Sequence, residues 1–186
     1  ADHSLSMQQW QSVIAATHET KPGEKRTRLY LALIFAYGLG LRLSEIAAAR
    51  IAIHKEQPGR PNPGIKRAVD GNGWDIVVRG KGGKLRTVPI PNAVMNALAA
   101  YGEIIGLGSD VGSWPEGHII FQTLGDGSWR VKKNEDYARQ PMSESQVYRM
   151  FKGHFKVAAS KMETAADAGH LIQASTHWLR HTHATH

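Results

Sequence analysis

The sequence predicts an α+β domain, mainly α-helical, with a small antiparallel β-sheet. Two patterns carry that expectation. Serines at Ser6 and Ser143 each precede a glutamine by three positions (Gln9, Gln146) and open a helically spaced apolar run, as in a capping box. Between these helical ends, two β-branched runs flank the glycine-rich stretch Gly80-Lys81-Gly82-Gly83-Lys84, as in a hairpin with a tight tip.

Taken in order, Ser6 caps a first helix carrying Trp10, Val13 and Ile14, and Thr20-Lys21-Pro22-Gly23 turns the chain. Arg26 to Tyr37 is apolar on nearly every side and predicts a buried helix, which Gly38 and Gly40 are expected to break. Leu43 to Arg50 resumes as a short helix behind Ser44. His54 to Gly73, with Pro58, Pro61 and Pro63 in the run Gln57 to Gly64, reads as an exposed loop inserted in one domain. Trp74–Arg79 and Leu85–Ile90 are the hairpin strands, and Ala93 to Leu98 is helical in propensity behind Pro91-Asn92. Gly106 to Gly117 is irregular, and His118 to Phe121 is a short buried strand or extended segment. Val147, Met150, Phe151, Phe155, Val157 and Ala158 fit the apolar face of a long helix behind Ser143, and His177 to His186 has helical spacing. There is no internal repeat.

With 41% hydrophobic residues the 186-residue chain suffices for one domain with a core of its own. A formal net charge of +7 and a pI near 9.8 give a surface field that attracts polyanions, a property shared by nucleic-acid binders and by merely adhesive basic proteins. The chain has no cysteine, which excludes disulfides, thiolate catalysis and cysteine-ligated zinc. The apolar stretch Leu29–Leu43 is too short and too interrupted to span a bilayer, and the N-terminus lacks a basic segment followed by an apolar one, so a cytoplasmic protein is expected.

Three separated segments carry chemistry. Gly38-Leu39-Gly40-Leu41-Arg42-Leu43-Ser44-Glu45-Ile46 places an arginine at a helix start, although an arginine among apolar residues also suits a structural ion pair. Gly80 to Ile90 puts Lys81, Lys84 and Arg86 around a hairpin tip, which is either a phosphate-neutralising loop or a solvated turn; the spacing of a nucleotide-binding P-loop is absent. His177-Trp178-Leu179-Arg180-His181-Thr182-His183-Ala184-Thr185-His186 pairs His177 with His181 one helical turn on, but Trp178 stands where a zinc protease has its glutamate and no carboxylate is near, so no metal is expected.

In this order and spelling the segments resemble the G-L-R-x-S-E, G-K-G-x-K-x-R-x-[VI]-P and H-x-L-R-H motifs of the tyrosine recombinase (phage integrase) family. The resemblance runs from the first helix to the last residue, with the Gln57–Gly64 insertion and Trp129–Gln140 less typical. It implies the tyrosine-recombinase catalytic fold and strand cleavage and rejoining through a 3′-phosphotyrosyl intermediate. Arg42 and Arg180 would clamp the scissile phosphate, Lys81 would protonate the departing 5′ oxygen, and His177 would bond the phosphate or accept the nucleophile's proton. Glu45 would orient these groups, and Lys84, Arg86 and His181 would contact DNA.

The roles make chemical sense without the name. Guanidinium forks match the oxygens that gain charge as a phosphodiester is attacked, a lysine can supply the proton an alkoxide needs, and cationic side chains replace the metal ion used elsewhere. No cofactor is expected; the partner is double-stranded DNA, with a homotetramer on DNA for the whole protein and a monomer for the isolated chain. The resemblance further implies that residues 1–186 form the catalytic domain without the N-terminal clamping domain, and that the nucleophilic tyrosine lies beyond His186. None of Tyr30, Tyr37, Tyr101, Tyr137 and Tyr148 is assigned that role. A basic DNA-binding module that performs no chemistry and a type IB topoisomerase-like enzyme are the competing readings.

Overall fold

The computed structural model describes residues 3–54, 62–124 and 139–186. Seven helices and one three-stranded sheet are present among them: α1 (Met7–Thr17), α2 (Glu24–Leu39), α3 (Leu43–Ala47), β1 (Gly64–Arg67), β2 (Trp74–Arg79), β3 (Leu85–Ile90), α4 (Asn92–Ile105), α5 (Glu144–Ala159), α6 (Ala165–Gln173) and α7 (Thr176–Thr185). Residues 57–61 of the proline-rich run, 129–138 of the second atypical stretch, and Tyr137 lie outside the described residues.

Both capping boxes form. Ser6 and Ser143 accept from the backbone N–H of Gln9 and Gln146, whose side chains accept in return from the serine N–H groups. Helix α2 buries Leu29, Leu31, Leu33, Phe35 and Leu39 and packs on α4, α7 and α1, which explains why its sequence shows no polar stripe. Phe35 meets Phe121 edge-on at a centroid distance of 5.3 Å, at the centre of the core.

The sheet is antiparallel in the order β1-β2-β3, with Val78 opposite Arg86 and Arg79 opposite Leu85, and a short 3₁₀ turn over Lys81–Gly83 forms the tip. Gly82 and Gly83 both adopt positive φ there, which closes the tip with Gly80 N–H donating to the Lys84 carbonyl at 2.7 Å.

Four expectations change. The stretch His54–Gly73 is not all loop, because Gly64–Arg67 joins the sheet as β1, and a Cβ on Gly64 would lie 2.6 Å from the Ala52 nitrogen. Gly38 does not break α2; it lies inside the helix, where a Cβ would come within 2.9 Å of a Val94 methyl on α4, and only Gly40, at φ 61°, ends it. Helix α3 stops at Ala47, since Arg50 and Ile51 form bridges to Ile119 and Ile65. Helix α4 runs on to Ile105, and α6 was not foreseen.

Candidate functional site

The site is built around one buried carboxylate. Glu45, in the first turn of α3, accepts from the Arg42 backbone N–H through Oε2 at 2.8 Å and from Arg42 Nη1 through Oε1 at 3.2 Å. Strand β3 brings Arg86 to the same group as a fork, Nη1 to Oε1 at 2.6 Å and Nη2 to Oε2 at 2.9 Å. From α7, Arg180 Nη1 reaches to 4.0 Å of Oε2. Three guanidiniums from three elements therefore share a carboxylate whose side chain is 1% exposed, while those of Arg42, Arg86 and Arg180 keep 45%, 34% and 30% of their surface.

Burial alone would push the Glu45 carboxyl upward, but hydrogen bonds from Arg86 and from the Arg42 backbone, with the Arg86 charge, outweigh it and hold the group below the ordinary carboxylate value. The Arg180 pKa is lowered as well, by its own desolvation and then by Arg42 and Arg86, with Glu45 opposing. Its Nη1 is a buried nitrogen with no hydrogen-bond partner among the described residues. A charged donor in that state is costly, and an anionic oxygen would satisfy it. Three positive charges against one negative leave the cluster ready to hold an anion.

His177 and His181 lie one turn apart on α7, with Nε2 to Nε2 at 2.8 Å and the rings edge-on. Desolvation first, then His181, Arg180, His3 and Arg42, lower the His177 pKa, so its neutral form is favoured at neutral pH. These charges set His177 in the same electrostatic field as Arg42 and Arg180. His183, which sequence reasoning did not single out, packs over Gly40, where an added Cβ would lie 2.8 Å from its Cδ2. Its signal in the sequence was its spacing of three residues from Arg180, which puts it on the same helix face.

The hairpin tip adjoins the cluster. A Cβ on Gly80 would lie 3.5 Å from Arg42 Nη1 and 3.7 Å from Glu45 Oε1, so Lys81, the next residue, starts from the edge of the arginines. The side chains of Lys81 and Lys84 are exposed and make no hydrogen bond or ion pair among the described residues, whereas that of Arg86 is anchored on Glu45. Beside the site, a groove of about 430 Å³ between α3 and the first turns of α5 is lined by Leu43, Glu144, Ser145, Tyr148 and Arg149. No group of three or more potential metal ligands occurs among the described residues.

No protein-family model matches the chain. A curated relative, tyrosine recombinase XerD of Rhizobium meliloti (strain 1021), is 26% identical over 162 residues, which are 87% of this chain and 39% of the relative. Among solved structures, XerA recombinase superposes with a TM-score of 0.56 at 20% identity, over 98% of this chain and 48% of that one. XerH site-specific recombinase bound to difH substrate, in a pre-cleavage complex, gives a TM-score of 0.52 at 16% identity over 98% of this chain and 42% of that one. Its post-cleavage complex on a palindromic difH substrate gives 0.53 at 16%, over 98% and 41%. The chain thus spans less than half the length of these relatives, and its helices and three-stranded sheet have the fold of a tyrosine recombinase catalytic domain.

Proposed function

We propose that this chain is the catalytic core of a tyrosine-type site-specific recombinase and binds the scissile phosphate of double-stranded DNA between Arg42 and Arg180. The observation that carries the reading is the convergence of both guanidiniums on Glu45, with Arg180 Nη1 buried and without a hydrogen-bond partner.

Glu45 fixes Arg42 at the start of α3 and offsets part of the mutual repulsion of the arginines, so the clamp is assembled before DNA arrives. As a nucleophilic hydroxyl attacks phosphorus, charge grows on the non-bridging oxygens, where preorganised donors stabilise it most. His177, kept neutral by desolvation first and then by the charges around it, can accept the attacking hydroxyl's proton or donate to a phosphate oxygen. Lys81, free on the hairpin tip, donates a proton to the departing 5′ oxygen, and Lys84 and His181 bind the flanking backbone. The nucleophile is a tyrosine that is none of those assigned in this chain, and the whole protein, bacterial or phage-encoded, works as a homotetramer on its DNA in the cytoplasm. Among the described residues no helix is long and apolar enough to cross a membrane.

Fluorescence anisotropy with a labelled duplex tests the reading. The chain binds DNA with an affinity that falls steeply as salt rises, and Arg42→Ala and Arg180→Ala each weaken binding and flatten the salt dependence by about one phosphate contact, a slope change of about 0.9. A salt-insensitive affinity, or full retention of the slope in both variants, overturns it.

A further inference from the structure

We infer that Arg86 is a positioning residue, a clasp that locks the Lys81 hairpin onto the arginine cluster through Glu45, and does not itself contact DNA. The inference rests on the recombinase reading above and assigns a role within the same site.

Among the described residues, the two bonds from Arg86 to Glu45 are the side-chain hydrogen bonds joining β2, β3 and their tip to the helical layer. They close a span of 41 residues and end on a carboxylate that is 1% exposed. Both terminal nitrogens of Arg86 are engaged at hydrogen-bonding distance, one on each carboxylate oxygen, so the fork's paired edge faces Glu45 and the plane and direction of the guanidinium are set by the carboxylate. Lys84, by contrast, carries a free charge on the same hairpin.

The clasp sits where it controls the tip. Arg86 pairs with Val78 in the ladder, Arg79 with Leu85, and the Gly80 N–H bonds the Lys84 carbonyl, so only a short closed turn separates the anchor from Lys81. Gly80 is held close to Arg42 and Glu45 by the same arrangement. Without Arg86, two glycines at positive φ leave the tip to pivot about the hairpin, and Lys81 loses its fixed start point beside Arg42. A lysine at position 86 keeps the charge but cannot supply the planar fork that bonds both carboxylate oxygens.

The test is a cycle on the salt dependence of duplex binding, comparing the wild-type chain with Lys81→Ala, Arg86→Gln and the double variant. Lys81→Ala lowers the slope by about 0.9, one phosphate contact. If Arg86 places Lys81, Arg86→Gln lowers it by the same amount and the double variant shows no further loss. If Arg86 binds a phosphate itself, the two losses add to about 1.8 and the inference fails. If Arg86 serves only the stability of the fold, Arg86→Gln leaves the slope unchanged and Lys81→Ala still costs its full contact in that background, which also overturns it. Arg86→Lys behaves as Arg86→Gln under the clasp and as wild type under direct phosphate contact, so it carries the same comparison if the glutamine variant does not fold. A wild-type chain with no salt-dependent binding defeats the recombinase reading instead, before the cycle is reached.

Discussion

At the scale of single residues, Glu45 organises the site and is also its most exposed weakness to acid. Its folded-state pKa lies below the ordinary value of 4.5, so its pairing stabilises the fold above that value and the contribution is lost as pH falls through the lower, folded-state pKa. Glu45→Gln should cost about 1–3 kcal/mol at pH 7, the toll of stranding hydrogen bonds from charged donors, reduced because the arginines can turn to water. Urea unfolding should show the gap from wild type narrowing as pH falls below 4.5, and a gap independent of pH would sink this account of Glu45. His177 titrates in the same sense, from a higher starting value. Its pKa is lowered from 6.5, so the unfolded chain binds the proton first and stability falls as pH drops below that value. NMR of the imidazole should place its midpoint under 6.5 in the free chain and raise it when duplex DNA adds phosphate beside the ring; a midpoint at or above 6.5 without DNA contradicts the field described here. The candidate residues were legible in the sequence as charged positions in three patterned segments. What remained hidden was their bookkeeping: sequence spacing lets Glu45 meet Arg42 within one helix turn, but no local pattern says that Arg86, on a strand, takes both oxygens of that carboxylate.

At the scale of elements, serine caps and the glycine tip could be read because they are local, and the elements that escaped notice are those held by distant partners. Strand β1 has four residues, of which Gly64 and Ile65 are buried, and it is fixed by the β2 ladder and a bridge to Ile51; neither alternation nor length announced it after three prolines. Helix α6 buries Leu171 alone and carries Gly169, so its apolar signal is faint, and the Thr164 side chain accepting from Asp167 N–H marks its start. The α2–α3 corner shows how an element end sets the site. Gly40 turns the chain in the left-handed region two residues before Arg42, with His183 lying where a Cβ would go. Gly40→Ala should therefore cost about 1–3 kcal/mol and lower the melting temperature by several degrees, while weakening DNA binding through Arg42. Gly153→Ala, in the exposed middle of α5 with open space around its Cβ, should instead raise the melting temperature, since alanine is the better helix former by about 1 kcal/mol. Calorimetry on the two variants checks the contrast, and equal shifts would show that backbone conformation at Gly40 is not what matters.

At the scale of the whole molecule, the net charge of +7 favours polyanions; under the proposed function the arginine cluster would hold one phosphate, and bond cleavage would still need a hydroxyl aimed at that phosphorus. The described tyrosines are placed for other tasks. Tyr101 is 1% exposed in the core, Tyr37 stacks on Trp10 at 4.2 Å and bonds His186 Nδ1 at 3.2 Å, and Tyr30 lies on α2 beside His18. Tyr148 is exposed on α5, yet it lines the neighbouring groove with Leu43, and none of the four hydrogen-bonds Arg42, His177 or Arg180. The 186-residue chain should therefore yield no covalent protein–DNA adduct on a denaturing gel, even with a nicked duplex that traps cleavage. An adduct that Tyr148→Phe removes would make Tyr148 the nucleophile and overturn this. In a protein that joins this chain to a nucleophilic tyrosine, Arg180→Ala should slow adduct formation by about 10²–10³-fold, the usual loss when one preorganised oxyanion donor is deleted. Lys81→Ala should slow cleavage of an ordinary phosphodiester far more than of a substrate with sulfur at the 5′ bridging position, because the thiolate leaves without needing a proton. Equal defects on the two substrates would remove Lys81 from the proton-donor role and leave it as a phosphate contact alone.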